Sequence, residues 1–66
     1  MDISKAMNHY MNELNLNQSQ FAVKCGMSIS MTSKIARGER IPSVSTLQKI
    51  SDTCEVKLSD FIRAAE

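Results

Sequence analysis

Apolar residues recur at helical spacing along most of this chain, and no stretch keeps the two-residue alternation of a strand for long. The first apolar face predicts a helix over residues 3–14 with Asp2 as its cap. Five residues make up that face: Ile3, Met7, Tyr10, Met11 and Leu14. Asn15 is expected to end the helix, and Leu16 to turn back into the core.

A second amphipathic segment begins after Asn17. Gln20 follows three residues later, which is a variant of the capping box and predicts a helix that starts near Gln18. The side that faces the core is predicted to hold Phe21, Ala22 and Cys25.

A glycine separates this helix from the next one. Gly26 can adopt a positive φ angle and stop the second helix. Ser28 is an N-cap candidate for a third helix that runs to about Ala36 and ends near Gly38. Two short helices joined by a short turn with glycine predict a helix-turn-helix over about residues 17–37.

The C-terminal part predicts two more helices within residues 44–64. Residues 38–42 form a loop, because the residue before Pro42 disfavours helix. Ser43 is expected to cap a fourth helix with these residues inward: Val44, Leu47, Ile50 and Cys54. A short last helix contains Phe61 and Ile62. The predicted fold is all-α, a compact five-helix bundle that forms one domain over residues 1–66.

The third helix has an unusual outer surface. Its side chains are hydroxyls, bases and apolar groups, with no carboxylate: Ile29, Ser30, Met31, Ser33, Lys34 and Arg37. Met27, Thr32 and Ile35 already form an inward stripe, which favours exposure of Ile29 and Met31; a rotated helix register would turn both inward instead. The net charge is +1 over the whole chain, but residues 17–43 alone carry +3. This surface suits a polyanion with base edges to read, namely double-stranded DNA.

Other chemistry finds little support in the sequence. A chain of 66 residues is too short to enclose a large substrate pocket and keep a core, so an enzyme is not expected. Cys25, Cys54 and His9 lack the spacing of a zinc site, and no cofactor or metal is predicted. Two buried reduced thiols and the lack of a signal peptide or membrane span favour a cytoplasmic protein.

The chain resembles the phage-repressor and Cro-type helix-turn-helix family, also called the XRE family, whose fold is the lambda repressor-like domain. The positions that carry the resemblance are Leu16, Gln18, Phe21, Ala22, Gly26, Met27, Ser28, Ser33, Ile35, Gly38, Pro42, Ser43, Thr46, Leu47, Lys49, Ile50, Asp60, Phe61 and Ile62. The resemblance implies operator binding, usually by a homodimer, with the helix over residues 28–36 in the major groove.

The resemblance and the residue chemistry together give the candidate DNA contacts. By position, the resemblance implies that four residues reach base edges: Ile29, Ser30, Ser33 and Lys34. It also implies that Gln18 contacts a phosphate. The other candidate phosphate contacts are Asn17, Ser28, Arg37 and Arg40.

Four positions depart from the family pattern. Thr32 replaces a buried Ile or Val, and its hydroxyl can bond to a helix carbonyl. Glu55 replaces a C-capping glycine. Ala36 replaces a common acid, and Ile29 replaces a polar or basic reading residue. These departures leave the fold intact and bear on the identity of the operator.

The predicted function is sequence-specific transcriptional regulation, by a small Cro-like or phage-type repressor that binds a palindromic operator as a dimer. A controller or antitoxin-type regulator is possible within this class, and a protein-interaction module that reuses the fold is the alternative outside it. Phe61 is expected in the core, and Val56, Leu58 and Ile62 at the dimer interface. The protein is expected to be prokaryotic or phage-encoded and to act in the cytoplasm in association with the nucleoid. No membrane partner and no small-molecule effector are expected.

Overall fold

A computed structural model describes residues 2–66 and contains five α-helices in this part of the chain. Their bounds are α1, Ile3–Glu13; α2, Gln18–Cys25; α3, Ile29–Ala36; α4, Val44–Thr53; and α5, Leu58–Ala64. The predicted all-α five-helix bundle is confirmed. The first helix is one residue shorter than predicted, since Leu14 is its C-cap.

Side-chain caps explain where the first four helices begin. The predicted N-caps all accept a hydrogen bond from a backbone N–H of the first turn: Asp2, Asn17, Ser28 and Ser43. The capping box of α2 is complete, because Gln20 N–H donates to Asn17 (2.8 Å) and Asn17 N–H donates to the Gln20 side chain (2.9 Å). The Ser4 hydroxyl also donates to Asp2, and this bond lowers the pKa of that carboxyl.

A left-handed residue is the C-cap of α2 and directly follows the C-caps of α1, α3 and α4. Gly26 after α2 and Gly38 after α3 have φ angles of 70° and 76°. Asn15 after α1 and Glu55 after α4 adopt φ angles of 56° and 58° despite their side chains. The Glu55 backbone agrees with the expectation that glycine is the residue this position favours.

We expect Glu55→Gly to raise the free energy of unfolding by about 1 kcal/mol, because glycine adopts this backbone conformation without the steric penalty of a Cβ. Urea denaturation of both proteins measures the change. Gln48→Gly serves as the control, because it places glycine in the interior of α4 and should destabilise the protein. A lower denaturation midpoint for Glu55→Gly would show that Glu55 is not strained.

The core lies where all five helices converge. Its largest fully buried apolar side chains are Met7, Phe21, Ile35, Ile50 and Phe61. Cys25 and Cys54 are buried free thiols. Burial raises the pKa of both, that of Cys54 to about 11, so both stay protonated at neutral pH.

Two residues predicted on inward faces lie at the surface. Leu14 is 37% exposed because α1 has ended and the chain turns there. Leu16 packs against the core instead. Val44 is 72% exposed, at the first position of α4, and the buried stripe of that helix starts at Leu47. Pro42, just before the helix, takes the buried position.

Two further properties concern residues 2–66 as a whole. None of the five helices has the length and apolar character that a membrane crossing requires. Within the same residues, no group of three or more His, Cys, Asp or Glu side chains is placed to hold a metal ion.

Candidate nucleic-acid interface

The turn between α2 and α3 depends on Gly26. Its φ and ψ angles of 70° and 32° are those of the left-handed helix region, which reverses the chain direction. The Met27 N–H then donates to the Ala22 carbonyl at 2.9 Å and closes the end of α2. Ser28 follows at once as the N-cap of α3. The helix-turn-helix that the sequence predicts is therefore present.

Buried side chains on one face of α3 hold the helix against the bundle: Thr32, Ile35 and Ala36. Thr32 is fully buried, and its hydroxyl donates to the Ser28 carbonyl at 3.0 Å. The Ser28 hydroxyl in turn accepts from Met31 N–H at 3.1 Å. Because the Thr32 hydroxyl has its partner, a polar residue is accommodated at this position of the core.

The opposite face of α3 is open to solvent. Ile29 is 55% exposed, Ser30 and Lys34 are exposed, and Ser33 is half-buried. The structure thus brings all four candidate base-contacting residues onto one short helix. Ile29 is exposed, as expected.

Met31 differs from the expectation of exposure. It is half-buried and packs against the core together with Met27, which lies four residues earlier in the chain. A flexible, unbranched side chain can fold over the edge of the core from a position that faces partly outward.

The candidate phosphate-contacting residues lie at the starts of α2 and α3 and after the end of α3. Asn17 is exposed and Gln18 half-buried at the start of α2, and Ser28 is exposed at the start of α3. Arg37 and Arg40 are exposed in the segment that follows α3. Arg37 forms an ion pair with Glu39, and both side chains are 55% exposed.

The electrostatic character of this region is positive. Neither α2 nor α3 has an acidic residue in its first turn, so the partial positive charge of each helix N-terminus is not neutralised locally. Both helices carry a lysine in the last turn, Lys24 and Lys34. Such a surface favours an anionic ligand.

One residue of α1 enters this region without a signal in the sequence. The Asn8 side chain donates to the carbonyl of Ala36, the last residue of α3, at 3.0 Å. The two residues are 28 positions apart, so no local pattern marks the pair.

Comparison with known proteins agrees with this geometry. A protein-family model described as helix-turn-helix matches residues 9–61, which cover most of the chain. No curated protein matches the sequence.

Proposed function

The chain belongs to the XRE and Cro type of helix-turn-helix family, whose members are DNA-binding transcriptional regulators. From this premise we propose that it acts as a small Cro-like or phage-type repressor on a palindromic operator. The observation that carries the proposal is the solvent-facing side of α3, which has no carboxylate and begins at a helix N-terminus without an acidic residue in its first turn.

Four side chains are proposed to contact base edges from α3. Lys34 can donate to the O6 and N7 atoms of guanine. Ser30 and Ser33 can donate or accept, and Ile29 can contact a thymine methyl group. Their exposure supports this role, since each is reachable from the surface of the helix.

Five side chains are proposed to contact the phosphate backbone: Asn17, Gln18, Ser28, Arg37 and Arg40. The Asn17 side-chain oxygen, Oδ1, accepts from Gln20 N–H in the capping box, so the side-chain NH₂ is the group that would face a phosphate. The ion pair of Arg37 with Glu39 is exposed and therefore stabilises the domain little. A phosphate can replace Glu39 as its partner.

The working unit is proposed to be a symmetric dimer. Val56, Leu58 and Ile62 are each half-buried at the C-terminal end of the fold, whereas Phe61 is fully buried. Pairing about a two-fold axis would place two α3 helices about 34 Å apart, one turn of DNA, on a near-palindromic site.

Selection from random duplexes, followed by a salt titration of the selected site, tests the proposed function. We expect a near-palindrome, and an affinity that falls steeply with salt as the protein releases counterions. Three strongly exposed apolar residues favour the second candidate, a protein-interaction module: Val23, Ile41 and Val44. No enrichment of any duplex, and no salt-dependent binding, would support that candidate instead.

We expect Lys34→Ala to relax base preference at one position of each half-site. Without one good bidentate hydrogen-bonding pair, discrimination there falls by roughly 1–3 kcal/mol. Repeating the duplex selection with the variant measures this change. An unchanged consensus with unchanged affinity would show that Lys34 does not read a base.

Arg40→Ala is the matched control for Lys34→Ala, because it removes a nearby exposed charge that lies outside α3. It should weaken binding to all sequences alike and lower the slope of the salt titration by about one unit, because the variant neutralises one phosphate fewer. Base preference should stay as in the parent protein.

A further inference from the structure

Within residues 2–66, a single side chain makes the polar connection between α3 and the rest of the bundle. The Asn8 amide nitrogen donates to the Ser4 carbonyl at 2.8 Å, on its own helix, and to the Ala36 carbonyl at 3.0 Å, on α3. The two donor hydrogens of the amide are both used in this arrangement. Ala36 is the last residue of α3, where carbonyl groups lack a partner within the helix.

This connection is unique within residues 2–66. Every other side-chain hydrogen bond there whose donor and acceptor are nitrogen or oxygen atoms joins residues at most four positions apart. Both ion pairs in the same part of the chain are also local. Among residues 2–66, α3 is otherwise held by apolar packing and by its chain connections to α2 and to the loop that follows.

The same face of α1 lies against the residues that follow α3. Ser4 and Asn8 are four residues apart and therefore neighbours on the helix surface. A Cβ built on Gly38 would lie 3.6 Å from the Ser4 hydroxyl oxygen. The end of α3 thus rests on a short polar stretch of α1 formed by Ser4 and Asn8.

We propose that Asn8 is a positioning residue that sets the orientation of α3 for sequence-specific DNA recognition, an inference that rests on the proposed function. Apolar packing by Ile35 and Ala36 has no preferred direction, so it tolerates small rotations and shifts of an eight-residue helix. A hydrogen bond is directional and fixes the end of the helix relative to α1.

The consequence is greater for specific binding than for non-specific binding. Base contacts from Ser33 and Lys34 need a defined position of α3, because hydrogen bonds to base edges weaken steeply when misaligned. Phosphate contacts depend mainly on charge and tolerate small shifts. Asn8 is therefore expected to affect the ratio of specific to non-specific affinity while the slope of the salt titration stays the same.

The experiment compares Asn8→Leu and Asn8→Asp with Asn12→Leu and Asn12→Asp. Both changes at position 8 remove the amide donor. Asn8→Leu introduces no charge, and Asn8→Asp keeps nearly the same shape. Asn12 is the matched control, because it is exposed on the same helix, as Asn8 is, and takes part in none of the side-chain hydrogen bonds among residues 2–66. Helix content and thermal unfolding are measured for all four variants.

We expect both Asn8 variants to lower the ratio of specific to non-specific affinity by up to about fivefold, the net effect of one ordinary hydrogen bond. The Asn12 variants should keep the parent ratio. In the parent protein without DNA, nuclear magnetic resonance should show a scalar coupling from the Asn8 side-chain nitrogen to the Ala36 carbonyl carbon. The coupling should be absent in the Asn8 variants.

Three outcomes would overturn the inference: an unchanged affinity ratio in the Asn8 variants, equal losses of specific and non-specific binding together with helix content, or no coupling to Ala36 in the parent protein. Failure of the proposed function looks different. In that case the parent protein itself selects no duplex, whereas the coupling still shows whether Asn8 holds α3 in place.

Discussion

Replacing Phe61 by alanine is expected to remove a large part of the stability of the fold. The Phe61 side chain is fully buried, and its ring stacks on Tyr10 with 5.6 Å between the ring centroids. Phe→Ala substitutions in a core lower the free energy of unfolding by about 3–5 kcal/mol. A domain of this length has a total stability of roughly 3–10 kcal/mol, so the loss ranges from about a third of that stability to all of it.

Circular dichroism during urea denaturation measures the effect of Phe61→Ala. Val44→Ala is the matched control, since the side chain of Val44 is 72% exposed and its truncation should change the stability by no more than about 0.5 kcal/mol. A cooperative transition for Phe61→Ala near the parent midpoint would contradict the placement of Phe61. A large loss for Val44→Ala would contradict the exposure of Val44.

The helix boundaries were predictable because the signals that set them are local. The reciprocal bonds between Asn17 and Gln20 span three residues, so their spacing in the sequence contains the information that starts α2. Gly26 ends α2 for an equally local reason, the freedom of glycine to adopt a positive φ angle. The left-handed backbone of Glu55 could not be predicted from its residue type, because glutamate does not favour this conformation. The indication came from the resemblance, in which glycine is common at this position.

The exposure of individual side chains was less predictable, because it depends on how the helices pack. Leu14 and Val44 fit the helical period of their segments, but both lie at helix ends, where the chain direction changes before the side chain reaches the core. Met31 lies between the inward and outward faces of α3 and folds toward the core. Periodicity gives an angle around a helix axis, and not the depth at which each turn meets the bundle.

The candidate interface also has features that the sequence predicts and features that it does not. The outward position of Ile29 followed from the inward stripe that contains Ile35. The connection from Asn8 to α3 could not be predicted, because its partner is a backbone carbonyl that leaves no trace in residue type. The ion pair of Arg37 with Glu39 forms within a loop whose conformation the sequence pattern does not specify.

The second large effect is expected from Ile62→Asp and Leu58→Asp, which should convert the proposed dimer to a monomer. Phe61 and Ala65, four residues apart, face the core from the C-terminal end of the fold. Leu58 and Ile62 have the same spacing and lie together on an adjacent face of α5, where both are half-buried. A carboxylate on this face would be desolvated by pairing, which costs far more than the apolar contact contributes.

Loss of pairing should weaken operator binding by about 10²- to 10⁴-fold, because two linked half-sites bind with a high effective concentration and two separate monomers do not. Sedimentation measures the oligomeric state, and circular dichroism verifies that the helices remain. Val23→Asp is the matched control, since Val23 is 78% exposed and lies on α2 instead of α5. Ile62→Asp is the more informative variant, because Leu58 also packs against the core and its replacement affects folding.

If folded Ile62→Asp still sediments as a dimer and protects a palindromic site at the parent concentration, the interface lies elsewhere. Dissociation of Val23→Asp instead would place that interface on α2.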